Sequence, residues 1–398
     1  MTSARAFDPL GEDLADPYPY LALMRLSRPV FYSSFHEAWC VTRRETVERV
    51  ARDTRTFSSG PVATRPRRLP PVAEAYSAKF FDSAPPLPFL DSPQHGHVRA
   101  RVLRCLSPAA VARAQEALHA AVEALVPPGP HLDGYDLIGN FAYPLALTTT
   151  LAALGLPVQD LNRHDAGLRA HHALLLAWHR IDNHEVEVFA QNAAAWREHL
   201  LEWVRLNSTG PDTGLARSMT GPGAGPALTP EEVASHVTSI LSAGYETIAH
   251  GFGNVCRLLL ANGTWATEKP SAPMVEEALR LDTPVMALMR VARTDAEVGG
   301  VTVREGERVL LMWGAANRDE SAAGDCPDEF RTDRPARSSV TFGTGPHSCI
   351  GAPLARSVLC HALDVFRGRF PKLSLDEAEP ERVPHGQLRG FGRLSVSA

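Results

Sequence analysis

Several things are scarce in this 398-residue sequence, and each scarcity closes off a class of protein. The six cysteines, at 40, 105, 256, 326, 349 and 360, include no C-x-x-C pair and no regular framework. That argues against a disulfide scaffold and a structural zinc site, and leads us to expect reduced thiols in a cytoplasmic protein. The net charge is only -5, so nucleic-acid binding has no electrostatic support. The N-terminus has no apolar core of signal-peptide length, and no membrane span is evident. The most apolar stretch, Phe141 to Leu156, is interrupted by Pro144, three threonines and Gly155, and reads as a buried helix.

What remains is an ordinary globular composition, 44% hydrophobic and 21% charged, with enough chain to enclose a cofactor. Short strand-like runs lie at Pro29 to Tyr32 and Ala38 to Thr42. Residues 60–90 are proline-rich and weakly periodic, which predicts a long functional loop. Residues 95–205 are mostly helical in pattern, and Asn207 to Leu228 reads as a Gly/Pro-rich connection. Thr229-Pro230-Glu231-Glu232 is a capping box with proline at the first helical position. Apolar residues follow to about Leu260, and Asn262-Gly263 ends them. Such a helix is about 45–50 Å long and must be largely buried. Short strands are expected over 295–315, turning at Gly299-Gly300. The fold class expected is mainly α with a minor β part, in one domain over 1–398, with β-rich portions near 29–60, 295–315 and 382–398.

The decisive segment runs Phe342-Gly343-Thr344-Gly345-Pro346-His347-Ser348-Cys349-Ile350-Gly351, followed by Ala352-Pro353-Leu354-Ala355-Arg356. Two glycines permit a tight loop whose backbone N–H groups converge on one sulfur. Cys349 precedes a helical run, and a helix N-terminus favours a thiolate. Gly351 removes a side chain where a flat ligand would approach the backbone. The alternative is a buried structural cysteine beside an unrelated turn.

The full spacing F-G-x-G-x-H-x-C-x-G resembles the heme-binding loop of the cytochromes P-450, soluble bacterial type. That resemblance implies the family's fold, with a long central helix over a buried heme b (iron protoporphyrin IX). It implies Cys349 as axial ligand of the heme iron, Phe342 packed beside the thiolate, Gly343 and Gly351 lining the loop, and His347 at a propionate. It extends along nearly the whole chain. Glu277-Ala278-Leu279-Arg280 matches the family's E-x-x-R helix, and Arg334 in Asp333-Arg334-Pro335 sits where a later arginine completes the network. Asp91 to Arg99 resembles the propionate-binding helix; His95 and Arg99, four apart, share a face. Arg290 matches the strand arginine that also binds a propionate. Asn317-Arg318-Asp319 and Arg389-Gly390-Phe391 resemble further landmarks. The stretch from Ala261 to Pro273 is short for the family.

Ala243-Gly244-Tyr245-Glu246-Thr247 resembles the family's A-G-x-[DE]-T motif. An acid beside an alcohol in an apolar helix is costly without a purpose. Thr247 can compete for a backbone carbonyl and open the helix, with Gly244 assisting. Glu246 and Thr247 are therefore the expected catalytic pair. Ser239, Ser242 and Ala243 are expected to line the substrate pocket from the helix, with Met286, Ala287 and Leu288 from the strand side and Phe391 nearby. Phe80, Phe81, Leu87 and Phe89 are weaker candidates. Six histidines, at 164, 171, 172, 179, 184 and 199, lack a compact ligand spacing and suggest a mobile, partly exposed lid, with His171 or Trp178 near substrate.

The implied activity is monooxygenation, hydroxylation or epoxidation, in secondary-metabolite tailoring. Partners would be a small organic substrate, dioxygen and a ferredoxin or flavoprotein fed by NAD(P)H. Two other readings stay open: oxidative coupling or ring formation without net oxygen insertion, and a non-catalytic heme-thiolate sensor.

Overall fold

A computed structural model describes the chain except residues 1–5, 10, 12, 61–70, 79–83, 106–107, 177–182, 210–214, 223–224, 268–269 and 336–338. In chain order the elements are α1 (Tyr18–Ser27), β1 (Val30–Ser33), β2 (Ala38–Val41), α2 (Arg44–Arg52), β3 (Phe57–Ser58), α3 (Pro71–Ala78), α4 (Gln94–Cys105), α5 (Pro108–Leu125), β4 (Tyr135–Asp136), α6 (Tyr143–Leu154), α7 (Leu161–Leu176) and α8 (Asn183–Asn207). Then come α9 (Leu215–Thr220), α10 (Pro230–Ala261), α11 (Ser271–Leu281), β5 (Leu288–Ala292), β6 (Ala296–Val298), β7 (Val301–Val303), β8 (Arg308–Leu311), α12 (Trp313–Ala316), α13 (Glu320–Ala323), α14 (Ala352–Arg369), β9 (Ser374–Leu375) and β10 (Ser395–Ser397). The protein is mainly helical with a minor sheet component, as expected. The chain divides into two compact units. One holds 1–58, 124–143 and 247–398, the other 59–123 and 144–246.

The first unit carries a five-stranded sheet in the order β1-β2-β8-β5-β3. Its β2–β8 pair is parallel and the other pairs are antiparallel. The strands supply valines and leucines that suit a half-buried pleated surface. Val47, Val50 and Ala51, at helical spacing on α2, close over Val41, Val309 and Leu311. β6 and β7 form the hairpin expected around Gly299-Gly300. Strand β1 lies one residue later than the sequence suggested, at Val30–Ser33.

In the second unit, α3, α7 and α8 meet in a core of Tyr76, Ala170, Leu174, Val186 and Ala193, with Phe89 and Phe189 packed against it. Three expectations need correction here. The 60–90 stretch is not purely loop: Pro71–Ala78 is helical and Leu87–Phe89 forms a 3-10 turn. Alanines and a leading proline favour that helix despite the surrounding prolines. The 207–228 connection contains α9. The histidine-rich stretch, expected as a mobile, partly exposed lid, is two helices in which His184 is exposed and His199 half-buried, but His164, His171 and His172 are buried. The imidazoles turn inward because aromatic partners await them, Trp196 for His164 and Tyr76 for His171. His179 and Trp178 lie outside the described residues.

The capping box of α10 forms in full: Glu232 N–H donates to Thr229 Oγ1 at 3.2 Å, and Thr229 N–H to Glu232 Oε2 at 2.7 Å. The short stretch after α10 is held from α14. There the Arg367 guanidinium donates to the Trp265 and Thr267 carbonyls and to Ser271 Oγ.

Two buried carboxylates organise the first unit. Glu277 takes Arg280 as a fork, 2.7 and 2.8 Å, and Arg334 Nε at 3.0 Å. Both partners are the arginines the sequence pointed to. Arg280 also donates to the carbonyls of Asn317 and Pro327 at 2.9 and 2.8 Å, so these buried charges are paired and hydrogen-bonded. Five residues on, Asp282 accepts from Arg382 at 2.6 Å and Arg389 at 2.7 Å. Arg389 continues to the carbonyls of Leu14 and Ala15. Burial by itself would raise the Asp282 pKa, but the two guanidinium groups overcome it and hold the carboxyl well below the usual range. Burial and the nearby Asp282 charge push the Tyr18 hydroxyl up to about 12.

A depressed carboxylate pKa gives stability that is complete above the unfolded value and is lost as pH falls through the folded one. Asp282→Asn should therefore cost about 3–5 kcal/mol near neutral pH, since it leaves two buried cations without their anion. In denaturant titrations the gap to the wild type should be full above about pH 4 and narrow below it. A constant gap down to strong acid would show that Asp282 contributes by shape alone.

Candidate active site

Within the first unit, the segment leading to Cys349 is suspended from its neighbours. Val340 N–H donates to Asn317 Oδ1 at 2.7 Å, and Thr341 Oγ1 donates to the Leu279 carbonyl at 2.9 Å. The loop then closes on itself: Cys349 N–H donates to the Phe342 carbonyl at 2.8 Å and Ser348 N–H to Gly345 at 3.0 Å. Gly343 and Gly345 have φ of +69° and +75°, which a side chain would strain. Gly345 also lies against α2, where a Cβ would come 3.0 Å from Arg52 Cγ, and Arg52 ties the loop through Thr344 Oγ1 at 2.9 Å. Cys349 is left exposed, two residues ahead of the Gly351 N-cap of α14. Phe342 lies under the Arg356 guanidinium, 4.2 Å from ring centroid to Cζ, and His347 is half-buried.

The same unit holds the strand-side candidates. Arg290 is buried on β5 and donates to the Met289 carbonyl at 2.8 Å. Met286 and Ala287 are buried just before the strand, whereas Leu288 opens β5 with 39% of its surface exposed. Phe391 is fully buried beneath the Arg382 guanidinium, 3.9 Å from its centroid, so its observed contacts are those of a core ring.

In the second unit, α4 presents His95, buried, and Arg99, half-buried, on one face, while His97 is exposed. Sequence reasoning passed over Arg101 on the same helix. It is 1% exposed and donates to the carbonyls of Ser218, Met219, Gly221, Gly225 and Pro226. It thereby satisfies the C-terminal end of α9 and the turn beyond it. Leu87 is buried and donates its N–H to His236 Nδ1 at 3.1 Å. Phe89 joins the helical core, while Phe80 and Phe81 lie outside the described residues.

The middle of α10 departs most from expectation. The helix is continuous from Pro230 to Ala261, so no break marks the opening expected at Thr247. Gly244 answers instead to close packing: a Cβ there would meet Thr150 Oγ1 of α6 at 2.7 Å and its Cγ2 at 3.0 Å. Ser239 is buried, Ser242 is half-buried and Ala243 is exposed. Glu246 and Thr247 are both half-buried. Glu246 Oε1 lies 2.8 Å from His172 Nδ1, and His172 Nε2 is 2.6 Å from Ser242 Oγ. No local signal in the sequence marks His172 as this partner; the contact joins residues 70 or more positions apart.

Comparison with known proteins agrees with this architecture. The family model "Cytochrome P-450" matches residues 272–392. Nocardicin C N-oxygenase of Nocardia uniformis subsp. tsuyamanensis is 31% identical, covering 97% of this chain and 96% of its own. Mycinamicin IV hydroxylase/epoxidase of Micromonospora griseorubida is 30% identical, covering 89% of this chain and 85% of its own. The solved structure of cytochrome P-450 CREJ in complex with (4-ethylphenyl) dihydrogen phosphate superposes with a TM-score of 0.86 at 25% identity, covering 98% of each chain. The class is that of heme-dependent monooxygenases. The chain belongs to the cytochrome P-450 family, whose cofactor is iron protoporphyrin IX. Among the described residues no helix is long and apolar enough to cross a membrane.

The residues present fit that cofactor. Cys349 offers an exposed soft donor in a loop already closed by its own backbone. At Gly351 a Cβ would meet only Cys349 Sγ, at 3.9 Å, so no other protein atom requires glycine there. A flat ligand lying over the sulfur would require it.

Gly244→Ala should cost about 1–3 kcal/mol through overpacking against Thr150. Thr150→Ala, tolerated less well alone, should recover most of that loss in the double variant. Thermal unfolding of the four proteins measures the coupling; additive losses would place the glycine requirement elsewhere.

Proposed function

We propose that this chain inserts one atom of dioxygen into a small organic substrate by hydroxylation or epoxidation, as a tailoring step in secondary metabolism. The observation that carries the reading is the exposed Cys349 sulfur in a glycine-permitted loop at the start of α14. The names of the two relatives, an N-oxygenase for nocardicin C and a hydroxylase/epoxidase for mycinamicin IV, support oxygen insertion into specialised metabolites. Electrons would come from NAD(P)H through a ferredoxin or flavoprotein, and the reaction takes place in the cytoplasm.

When bound, heme supplies the redox chemistry that activates dioxygen. Cys349 serves as its thiolate ligand, with Phe342 beside the sulfur and Gly343 and Gly351 shaping the loop. His95, Arg99, Arg290 and His347 bind the two propionates through charge-assisted hydrogen bonds. Ser239, Ser242, Ala243, Met286, Ala287 and Leu288 line the substrate pocket, with Phe391 behind them. Glu246 and Thr247 hold and pass protons: a carboxyl group next to a hydroxyl accepts a proton from one side and releases it on the other while admitting little water.

The reduced wild type under carbon monoxide should show the red-shifted Soret band of a thiolate ligand, and Cys349→Ala should lose it. A retained band would sink the ligand assignment. Thr247→Ala should keep the band and divert reducing equivalents to hydrogen peroxide, lowering product per NAD(P)H. A product one oxygen atom heavier than its substrate supports insertion, whereas loss of two hydrogens would favour oxidative coupling.

A further inference from the structure

We propose that His172 is a positioning residue that fixes the Glu246 carboxylate against Ser242, so that proton delivery depends on the docking of α7 on α10; this rests on the relay assigned above to Glu246 and Thr247. Ser242 and Glu246 are one turn apart on α10 and share a face. His172 of α7 reaches both, with Nδ1 2.8 Å from Glu246 Oε1 and Nε2 2.6 Å from Ser242 Oγ. The imidazole is only 9% exposed. Its Nδ1 makes no aligned hydrogen bond, so the approach to Glu246 is a close polar contact rather than a directed bond. The Tyr245 ring stacks on His172 with centroids 6.0 Å apart, and the Tyr245 hydroxyl donates to Asp165 of α7. The centre of α10 is thus joined to α7 through polar groups on both helices.

The order serine, histidine, carboxylate is that of an acyl-transfer triad. Ser242 cannot act that way. It lies in a helix interior, where backbone N–H groups are committed to carbonyls one turn back and none remains to form an oxyanion pocket. The arrangement instead sets the orientation of Glu246. A serine hydroxyl accepts from a protonated imidazole and donates to a neutral one, so Ser242 keeps the ring in place in either charge state. The groups around the ring are Glu246 and Tyr245 from α10 and His171 on α7 itself, which Tyr76 of α3 bonds at 2.8 Å. Burial, with His172 beside it, pushes the His171 pKa well below the usual imidazole value, so His171 stays neutral.

The test uses holoprotein in the diamagnetic ferrous carbon monoxide form, with nitrogen-15 in its histidines. His172→Gln identifies the ring signals by their loss. Glu246→Gln should then shift the Nδ1 signal of His172, and Thr247→Ala should leave it in place. An unmoved signal in Glu246→Gln overturns the contact. Function is read as dioxygen uptake with NADPH, a surrogate ferredoxin and its reductase, across pH and in heavy water. His172→Phe should slow uptake roughly tenfold, equivalent to about 1.4 kcal/mol of barrier, and enlarge the solvent isotope effect. His172→Gln, whose amide can bond both partners, should recover most of the rate, and it carries the test if the phenylalanine variant loses its heme. If Glu246→Gln changes the isotope effect while neither His172 variant does, the positioning role is overturned and the relay stands. If none of the three changes it, the relay itself is wrong.

Discussion

A carboxylate taken out of water must bring its counter-charges with it, and this requirement at Glu277 and Asp282 governs the first unit. Both belong to the end of α11, and between them they engage Arg280, Arg334, Arg382 and Arg389. Arg280 and Arg389 spend their remaining donors on backbone carbonyls from distant parts of the chain, among them Leu14, Asn317, Pro327 and Glu329, and Arg382 reaches Asn254 Oδ1. Removing one partner would leave a charge buried without compensation, far costlier than replacing a whole pair by apolar groups. The network is therefore a strong constraint on which segments lie together. Asn317, whose carbonyl serves Arg280, also receives the Val340 N–H, so the approach to the cysteine loop is set by the same cluster.

The loop adds constraints of its own. Its backbone bonds fold it back on Phe342, its glycines adopt a conformation closed to other residues, and Arg52 clamps it from α2. A thiol that would ordinarily be buried or oxidised is instead left exposed at a helix start. The heme ligation proposed above would give that exposed sulfur its role.

The long helix α10 serves two purposes along its length. At Gly244 it lets α6 approach closely, and around Ser242 and Glu246 it carries polar side chains toward α7. A glycine and an acid two residues apart therefore answer to different demands. Reading the motif as one hinge merged packing with chemistry, because a missing Cβ looks the same in sequence whether it permits a bend or a close contact.

Sequence alone determined whatever depends on local spacing. The cysteine loop, the E-x-x-R pair, the capping box and the length of α10 are patterns within ten or thirty residues, and each follows from backbone conformation or helical periodicity. Arg334 was legible only through the family resemblance, which places a later arginine in the network. Tertiary structure decided the rest. Asp282 gathers Arg382 and Arg389 across 100 residues or more, and Arg101 serves carbonyls beyond residue 217. His172 meets Glu246 only because α7 turns a histidine doublet inward, where one ring bonds Tyr76 and the other bonds Ser242. Composition made those histidines look like an exposed lid. The choice between solvent and interior depends on which aromatic and polar partners the fold brings within hydrogen-bond reach, and that is a property of three-dimensional packing that no local pattern encodes.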